Sequence, residues 1–168
     1  MKMQNRIEIQ VVKGHDRAWM REIIKTYWGD EFVVIHEEIY LPHQLPGFIA
    51  RDLEADAVGL VTYQIRGDVC EIITLNSLIE NRGVGSMLLE AVLKEAEKLE
   101  CRQLCLTTTN DNQLAIEFYR NRGFKLSEIR KEAVDRAREI KPAIPALSPQ
   151  GIPICDEWEF VLDLPRKE

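Results

Sequence analysis

Apolar and polar residues alternate through RIEIQVV (6–12), a pattern that predicts a strand. The period then changes. Trp19, Ile23 and Tyr27, with Met20 and Ile24, recur at helical spacing; Asp16 stands where an N-cap belongs and Gly29 where a helix stops. Residues 30–46 carry Phe32, Val33, Val34 and Ile35, then Pro42 and Pro46, and read as a short strand and a loop. Strands are predicted over 47–51, 57–66 and 69–75, the last two joined into an antiparallel hairpin by the tight-turn sequence Arg66-Gly67-Asp68. A helix from about 83 to 100 shows one apolar stripe: Val84, Met87, Leu88, Ala91, Val92, Ala96 and Leu99. RQLCLTT (102–108) is the next strand. Asn110 with Gln113 resembles a capping box opening a helix to about 122, with Gly123 as its stop. Residues 124–130 read as a strand and 132–140 as a short charged helix. The stretch 141–153 holds four of the seven prolines and reads as a stiff, irregular insertion. A last strand spans 154–164, with Ile154, Trp158, Phe160 and Leu162 on one face. The sum is a mixed α/β domain, mostly antiparallel at the front, with a strand–helix–strand–helix unit over 69–122.

Composition narrows this. The 168 residues are 45% apolar and 30% charged, which fits one folded domain over 1–168. Twenty-two basic against 28 acidic side chains give a charge of −6 with no basic cluster, which speaks against nucleic acid as a partner. No apolar run is long enough for a membrane span, and the alternating start lacks a signal peptide's apolar stretch. Cys70, Cys101, Cys105 and Cys155 form no CxxC and have no His-rich partner segment, so they read as reduced structural residues of a cytoplasmic protein without a metal site.

The chemistry concentrates in LNSLIENRGVGSMLL (75–89). A strand ends, a loop carries Gly83 and Gly85, and an amphipathic helix begins. Helix starts present unpaired N–H groups and partial positive charge, and glycines let a backbone approach an anion. Arg82 adds a full charge and Ser86 a hydroxyl. Alone, this pair of glycines fits a ligand-free turn equally well. No Gly-Lys-Ser/Thr follows, so it is not a Walker A loop, and the missing third glycine disfavours a dinucleotide fold. A second segment, NDNQLAIEFYRNRGF (110–124), puts Asn112 in the first turn of a helix and Tyr119 two turns on. A phenol there could protonate a departing thiolate; by itself it also fits a core aromatic beside Phe118.

Together the two segments resemble the GCN5-related N-acetyltransferase (GNAT) superfamily. Its second signature, Asn-x-x-Ala-x-x-x-Tyr-x-x-x-Gly-Phe, is matched at Asn112, Ala115, Tyr119, Gly123 and Phe124; its first at Gly83, Gly85, Leu88 and Leu89, with a departure at Glu80, where Gln or Arg is usual. The resemblance covers 47–130 firmly. It implies a mixed, mostly antiparallel sheet of about seven strands flanked by helices and splayed at the cofactor site. It implies acetyl-CoA as acetyl donor. The main chain at Thr74 and Leu75 would pair with the pantetheine arm, the amides of Arg82, Gly83, Val84, Gly85 and Ser86 would hold the diphosphate, and Asn112 would contact the pantetheine region. Tyr119 would be the proton donor to the thiolate. Thr107, Thr108 and Thr109 end the second splayed strand.

The implied reaction is direct transfer to a primary amine of a small molecule or peptide. An alkylammonium must first lose a proton. Glu71, in the otherwise apolar VCEIITL, is the candidate base; alternation would set Glu71, Ile73 and Leu75 on one face. Asp156, Glu157, Glu37 and Glu38 are the other acidic candidates, with His36 and His43 as loop histidines, and 141–153 reads as a specificity loop over the acceptor side. A non-catalytic acyl-CoA-binding sensor or interaction module is the alternative, and a homodimer is compatible with the resemblance.

Overall fold

The structure is a computed structural model describing residues 6–166. Its elements in chain order are β1 (Glu8–Val11), α1 (Arg17–Trp28), β2 (Val33–Ile35), β3 (Glu38–Tyr40), β4 (Gly47–Arg51), β5 (Ala57–Arg66), β6 (Val69–Ser77), α2 (Val84–Lys98), β7 (Gln103–Thr109), α3 (Gln113–Arg120), β8 (Lys125–Arg130), α4 (Ala133–Ile140) and β9 (Glu157–Asp163). Seven strands form one sheet in the order β1-β4-β5-β6-β7-β9-β8, and β2 and β3 form a separate hairpin. Every pairing in the large sheet is antiparallel except β6 with β7, which α2 connects.

Each face of the sheet buries its own core. On one, Val84, Leu88, Val92 and Ala96 of α2 and Ile116 and Tyr119 of α3 pack on Val61, Cys70, Ile72, Leu104, Leu106 and Phe160. On the other, Met20 and Ile24 of α1 and Val33, Ile35 and Tyr40 of the hairpin pack on Ile49, Leu60 and Ile73. Burying a large aliphatic side chain is worth about 1.5–3 kcal/mol, so these stripes hold the helices down. The stripes are narrower than expected: Tyr27 of α1 and Leu99 beyond α2 are exposed. Among the described residues no helix is long and apolar enough to cross a membrane.

Several expectations are corrected. Within the 30–46 region, residues 33–40 form a full hairpin rather than a lone strand. Its turn is His36-Glu37, with φ of 51° and 63°, the left-handed pair of a two-residue primed turn but without the Gly or Asn that signals one. The cap of α3 is Asn112, whose side chain accepts from Ala115 N at 3.3 Å, and not Asn110. The last strand begins at Glu157, which leaves Ile154 outside it. Alternation also fails along β6. The register against β5 shifts between Thr62 and Tyr63, and Ile73 is the extra residue. A bulge of this kind turns the following side chains over. Glu71 therefore does not share a face with Leu75: Ile73 belongs to the α1-side core, while Leu75 packs on the α2 side.

Candidate active site

Strands β6 and β7 pair only from Val69↔Gln103 to Ile72↔Leu106. Beyond that, β6 runs on to Ser77 against β5 and β7 runs on to Thr109 against β9, so the sheet opens into a gap. The bulge at Ile73 lies where the gap begins. Thr74, fully buried, shares a 2.6 Å hydrogen bond with Thr62, which fixes this stretch of β6 and leaves its β7-facing main-chain groups free of strand partners.

The gap leads to the start of α2. Gly83 precedes the helix at φ 71°, a conformation that costs other residues about 1–2 kcal/mol. No side chain caps α2. A Cβ on Gly85 would meet Phe118 at an ordinary 3.6 Å, so the chain's own packing does not demand glycine there; the missing side chain leaves room above the helix start. Tyr119 lies on the same side of the sheet. Its ring is edge-on to Phe118 and Phe124, with centroids 5.3 and 5.6 Å away. Burial pushes its hydroxyl up to about 12, so the phenol keeps its proton at neutral pH. The ring is core; the hydroxyl is what remains for chemistry. Both ends of the Asn112 amide are engaged inside the protein, with Ala115 N and with Thr108 Oγ1 at 3.2 Å, which gives it a capping role that the sequence reading did not assign.

The α1 side of the gap is made from carboxylates. Glu71 lies opposite Cys105, one residue before the last β6–β7 pair. Its Oε1 is sealed from solvent and has no hydrogen-bond partner. Burial raises its pKa above the usual carboxylate value, against the pull of His36 and Arg66. The other acidic candidates all have partners. Glu157, buried, takes the His36 N–H on both oxygens at 3.2 and 3.1 Å. Asp156 accepts from Glu132 N at 2.9 Å, Glu37 pairs with Arg136, and Glu38 pairs with Arg66 and accepts from Tyr40 Oη at 2.9 Å. The His36 ring Nε2 meets Thr107 Oγ1 at 2.9 Å and also Arg130, which in turn pairs with Glu159 at 2.8 Å. Arginine only donates, so Nε2 is the accepting nitrogen. His43 lies elsewhere, buried beside Arg21 under α1.

The proline-rich stretch is anchored at its start. Lys141 is buried, and its Nζ donates to Trp28 O at 2.5 Å and Phe32 O at 2.7 Å, tying the segment to the α1–β2 junction. Sequence reasoning missed Lys141, the Thr107–His36–Arg130 cluster and Arg122, whose guanidinium reaches Ser86 at the start of α2. All three join residues far apart in the chain. The four cysteines are free thiols.

A profile of the acetyltransferase (GNAT) family matches residues 15–124. The chain belongs to that family, and it is an acetyltransferase. Among relatives, it is 39% identical to the uncharacterized protein YdhI of Bacillus subtilis over 84% of this chain and 88% of YdhI, and 41% identical to YxbD of the same organism over 83% and 88%. Solved structures share the fold. The ribosomal-protein-S18-alanine N-acetyltransferase of Escherichia coli superposes with a TM-score of 0.67 at 16% identity, covering 97% of each chain. A GNAT family acetyltransferase of Elizabethkingia anophelis, solved with acetyl-CoA bound, gives 0.66 at 19% identity over 94% and 98%. Arabidopsis thaliana NAA60, in complex with a bisubstrate analogue, gives 0.69 at 17% identity over 96% and 100%.

Proposed function

We propose that this single domain moves the acetyl group of acetyl-CoA directly onto a primary amine of a small molecule or peptide. One observation carries the reading: at the parting of β6 and β7, Glu71 holds a sealed carboxylate oxygen with no partner in the protein. A buried carboxylate left this way is costly unless a ligand answers it, and an alkylammonium is a natural complement. The free edge of β6 and the uncapped start of α2 fit the donor: Thr74 and Leu75 would pair with the pantetheine amides, the amides of Arg82 to Ser86 would hold the diphosphate, and Asn112 would flank the arm. Structures of the same fold solved with acetyl-CoA support this assignment.

Acetyl-CoA supplies an activated thioester. The residues of the chain then have two proton tasks. An alkylammonium, with a pKa of about 10.4, cannot attack until it loses a proton. Glu71 takes that proton, directly or through one water, and its raised pKa brings it closer to the amine. As the C–N bond forms and the C–S bond breaks, Tyr119 would give its phenolic proton to the leaving sulfur, and the second proton shed by the acylated nitrogen would pass through solvent to restore the phenol. Glu71 lies on the α1 side of the sheet and Tyr119 on the α2 side, so acceptor and donor would enter the gap from opposite faces.

The test is free-thiol release from acetyl-CoA against a panel of amines, with acetyl-CoA affinity measured by calorimetry. Tyr119→Phe should lower kcat about 10²-fold and leave affinity unchanged. Tight binding with no thiol release on any amine would make the chain a binding module, and no binding would remove the donor assignment.

A further inference from the structure

Three threonines end β7, and their hydroxyls have different partners. Thr109 donates to Asp111 Oδ1 at 2.5 Å and Thr108 accepts from Asn112 Nδ2 at 3.2 Å, so both serve the start of α3. Thr107 does not. It lies one residue past Leu106, where pairing with β6 ends, and two past Cys105, the partner of Glu71. Leu104 and Leu106 belong to the α2-side core, and β7 pairs with β9 without a register shift, so Cys105 and Thr107 share the opposite face with Glu71. Thr107 is thus the first β7 residue in the gap on the side of Glu71. Its hydroxyl lies 2.9 Å from His36 Nε2. Arg130 meets the same nitrogen and can only donate, so that nitrogen carries no hydrogen. The Thr107 hydroxyl must then be the donor. Its one hydrogen is committed to His36, and its lone pairs have no partner among the described residues. The lock is firmly held. His36 stands at a φ of 51° with its N–H on both Glu157 oxygens, and Arg130 is held by Glu159 and Glu128. Such backbone conformations persist where the surroundings over-determine them, often at functional sites.

We infer that Thr107 is an acceptor-contacting residue, locked by His36 and Arg130 as a pure hydrogen-bond acceptor, and that with Glu71 it selects amines bearing at least two N–H hydrogens. The inference rests on the acetyl-transfer reading above and deepens it. Glu71 takes one hydrogen of the ammonium as the proton that must leave. Thr107 Oγ1 accepts a second and so turns the nitrogen toward the thioester. A primary ammonium has three hydrogens and answers both groups. An alcohol has one, which the base needs, and it leaves Thr107 unanswered. A site built to hydrogen-bond a substrate group rejects an analogue that lacks it, because its own polar atom is then left unpaired. His36 touches no substrate in this scheme. It is a positioning residue that acts through Thr107.

Steady-state thiol release from acetyl-CoA by the full chain tests this. The acceptors are 1,4-diaminobutane, phenethylamine and an alanine tripeptide amide, with 1,4-butanediol and 2-phenylethanol as hydroxyl counterparts; a melting curve and coenzyme A calorimetry accompany each protein. Thr107→Val should raise KM for the best amine about tenfold and change kcat less than about threefold, because the contact is made before transfer as well as during it. Thr107→Ser restores the hydroxyl and should recover most of that loss. His36→Asn suits the left-handed turn and should also raise KM, but on top of Thr107→Val it should add less than about twofold, since the two act as one unit. Coenzyme A affinity should not move in any of them. An unchanged amine KM in Thr107→Val overturns the inference, and so does an equal loss in Thr107→Ser. Full additivity of the His36 and Thr107 changes, a loss shared with coenzyme affinity and melting temperature, or wild type that uses the alcohols as readily as the amines overturns it too. Wild type that releases no thiol with any amine strikes the transfer reading itself and this inference with it.

Discussion

The two sides of the gap are built on different principles. The α2 side comes from one continuous stretch, β6 through Phe124, and offers mainly main-chain groups: the free edge of β6 and the first amides of α2. The α1 side is assembled from the β2–β3 hairpin, β6, β7, β8 and β9, and offers side chains. His36 meets Thr107 across 71 residues, Arg130 across 94 and Glu157 across 121. A site made of backbone needs only local geometry, which glycines and helix starts can write into a short motif. A site made of side chains depends on tertiary placement, and its residue types are free to vary with the acceptor.

The sharpest way to break this contrast is Glu71→Gln. Removing a general base costs about 10²–10⁴-fold in rate, read as kcat/KM for the best amine at neutral pH, with a smaller deficit at high pH where free amine is abundant. The same change should raise Tm. Burial raises the folded pKa of Glu71 above its unfolded value of 4.5, so between those two values the folded state binds the extra proton. Stability falls as pH rises through that window, and the wild type carries the full cost above it. Glutamine has no charge to bury. Melting curves should therefore show the variant gaining over wild type at pH 7 and losing that advantage near pH 4. Full activity in the variant would remove Glu71 as base; a lower Tm at pH 7 would mean that its charge is answered inside the protein.

Ser86→Asp probes the other side. An acid in the first turn of α2 suits the helix start and would capture Arg122, so the fold should hold. The same carboxylate opposes a diphosphate, and like charges in contact cost several kcal/mol. Acetyl-CoA affinity by calorimetry should fall at least about tenfold with Tm unchanged or raised. Unchanged affinity would place the diphosphate elsewhere. This variant is a cleaner probe than a branched residue at Gly83, whose φ of 71° would add backbone strain to any effect on binding.

Legibility follows the same divide. Strands 47–51 and 57–66 and helices α1 and α2 were readable because the apolar period and the turn and stop residues agree there. The parallel β6–α2–β7 unit with the first motif, and α3 with the second, are local as well. The second strand of the hairpin was missed because His36 and Glu37 hold left-handed conformations without a turn residue to announce them; the buried Glu157, which grips the His36 N–H, supplies from far away what the turn lacks. Leu75 was put on the wrong face because a bulge is one extra residue, and nothing in VCEIITL marks Ile73 as that residue. Glu71 was readable as an unusual carboxylate in an apolar strand. That its rivals Glu37, Glu38, Asp156 and Glu157 are all satisfied was not, since each partner comes from another element.

The smallest expected effect tests whether the two sides are energetically separate. Lys141 puts a buried ammonium on Trp28 O and Phe32 O, 5.1 Å from the centroid of the Phe32 ring, and so fastens the proline-rich stretch to the end of α1. Lys141→Met keeps the length and loses the donors. Hydrogen bonds from charged groups are worth about 1.5–3 kcal/mol, offset in part by no longer burying the charge, so a fall in Tm of a few degrees is expected. Burial lowers the folded pKa of Lys141 below its unfolded value of 10.5. The unfolded chain then binds more protons in that window, and wild type gains stability as pH climbs through it, a gain the methionine variant should not share. Acetyl-CoA affinity should stay as in wild type, because the anchor touches nothing on the α2 side, while KM for the amine should rise on our proposal that the segment shapes the acceptor side. If coenzyme affinity fell together with amine KM, the two sides would be one cooperative unit, and the division between a main-chain donor site and a side-chain acceptor site would be a matter of residue type alone.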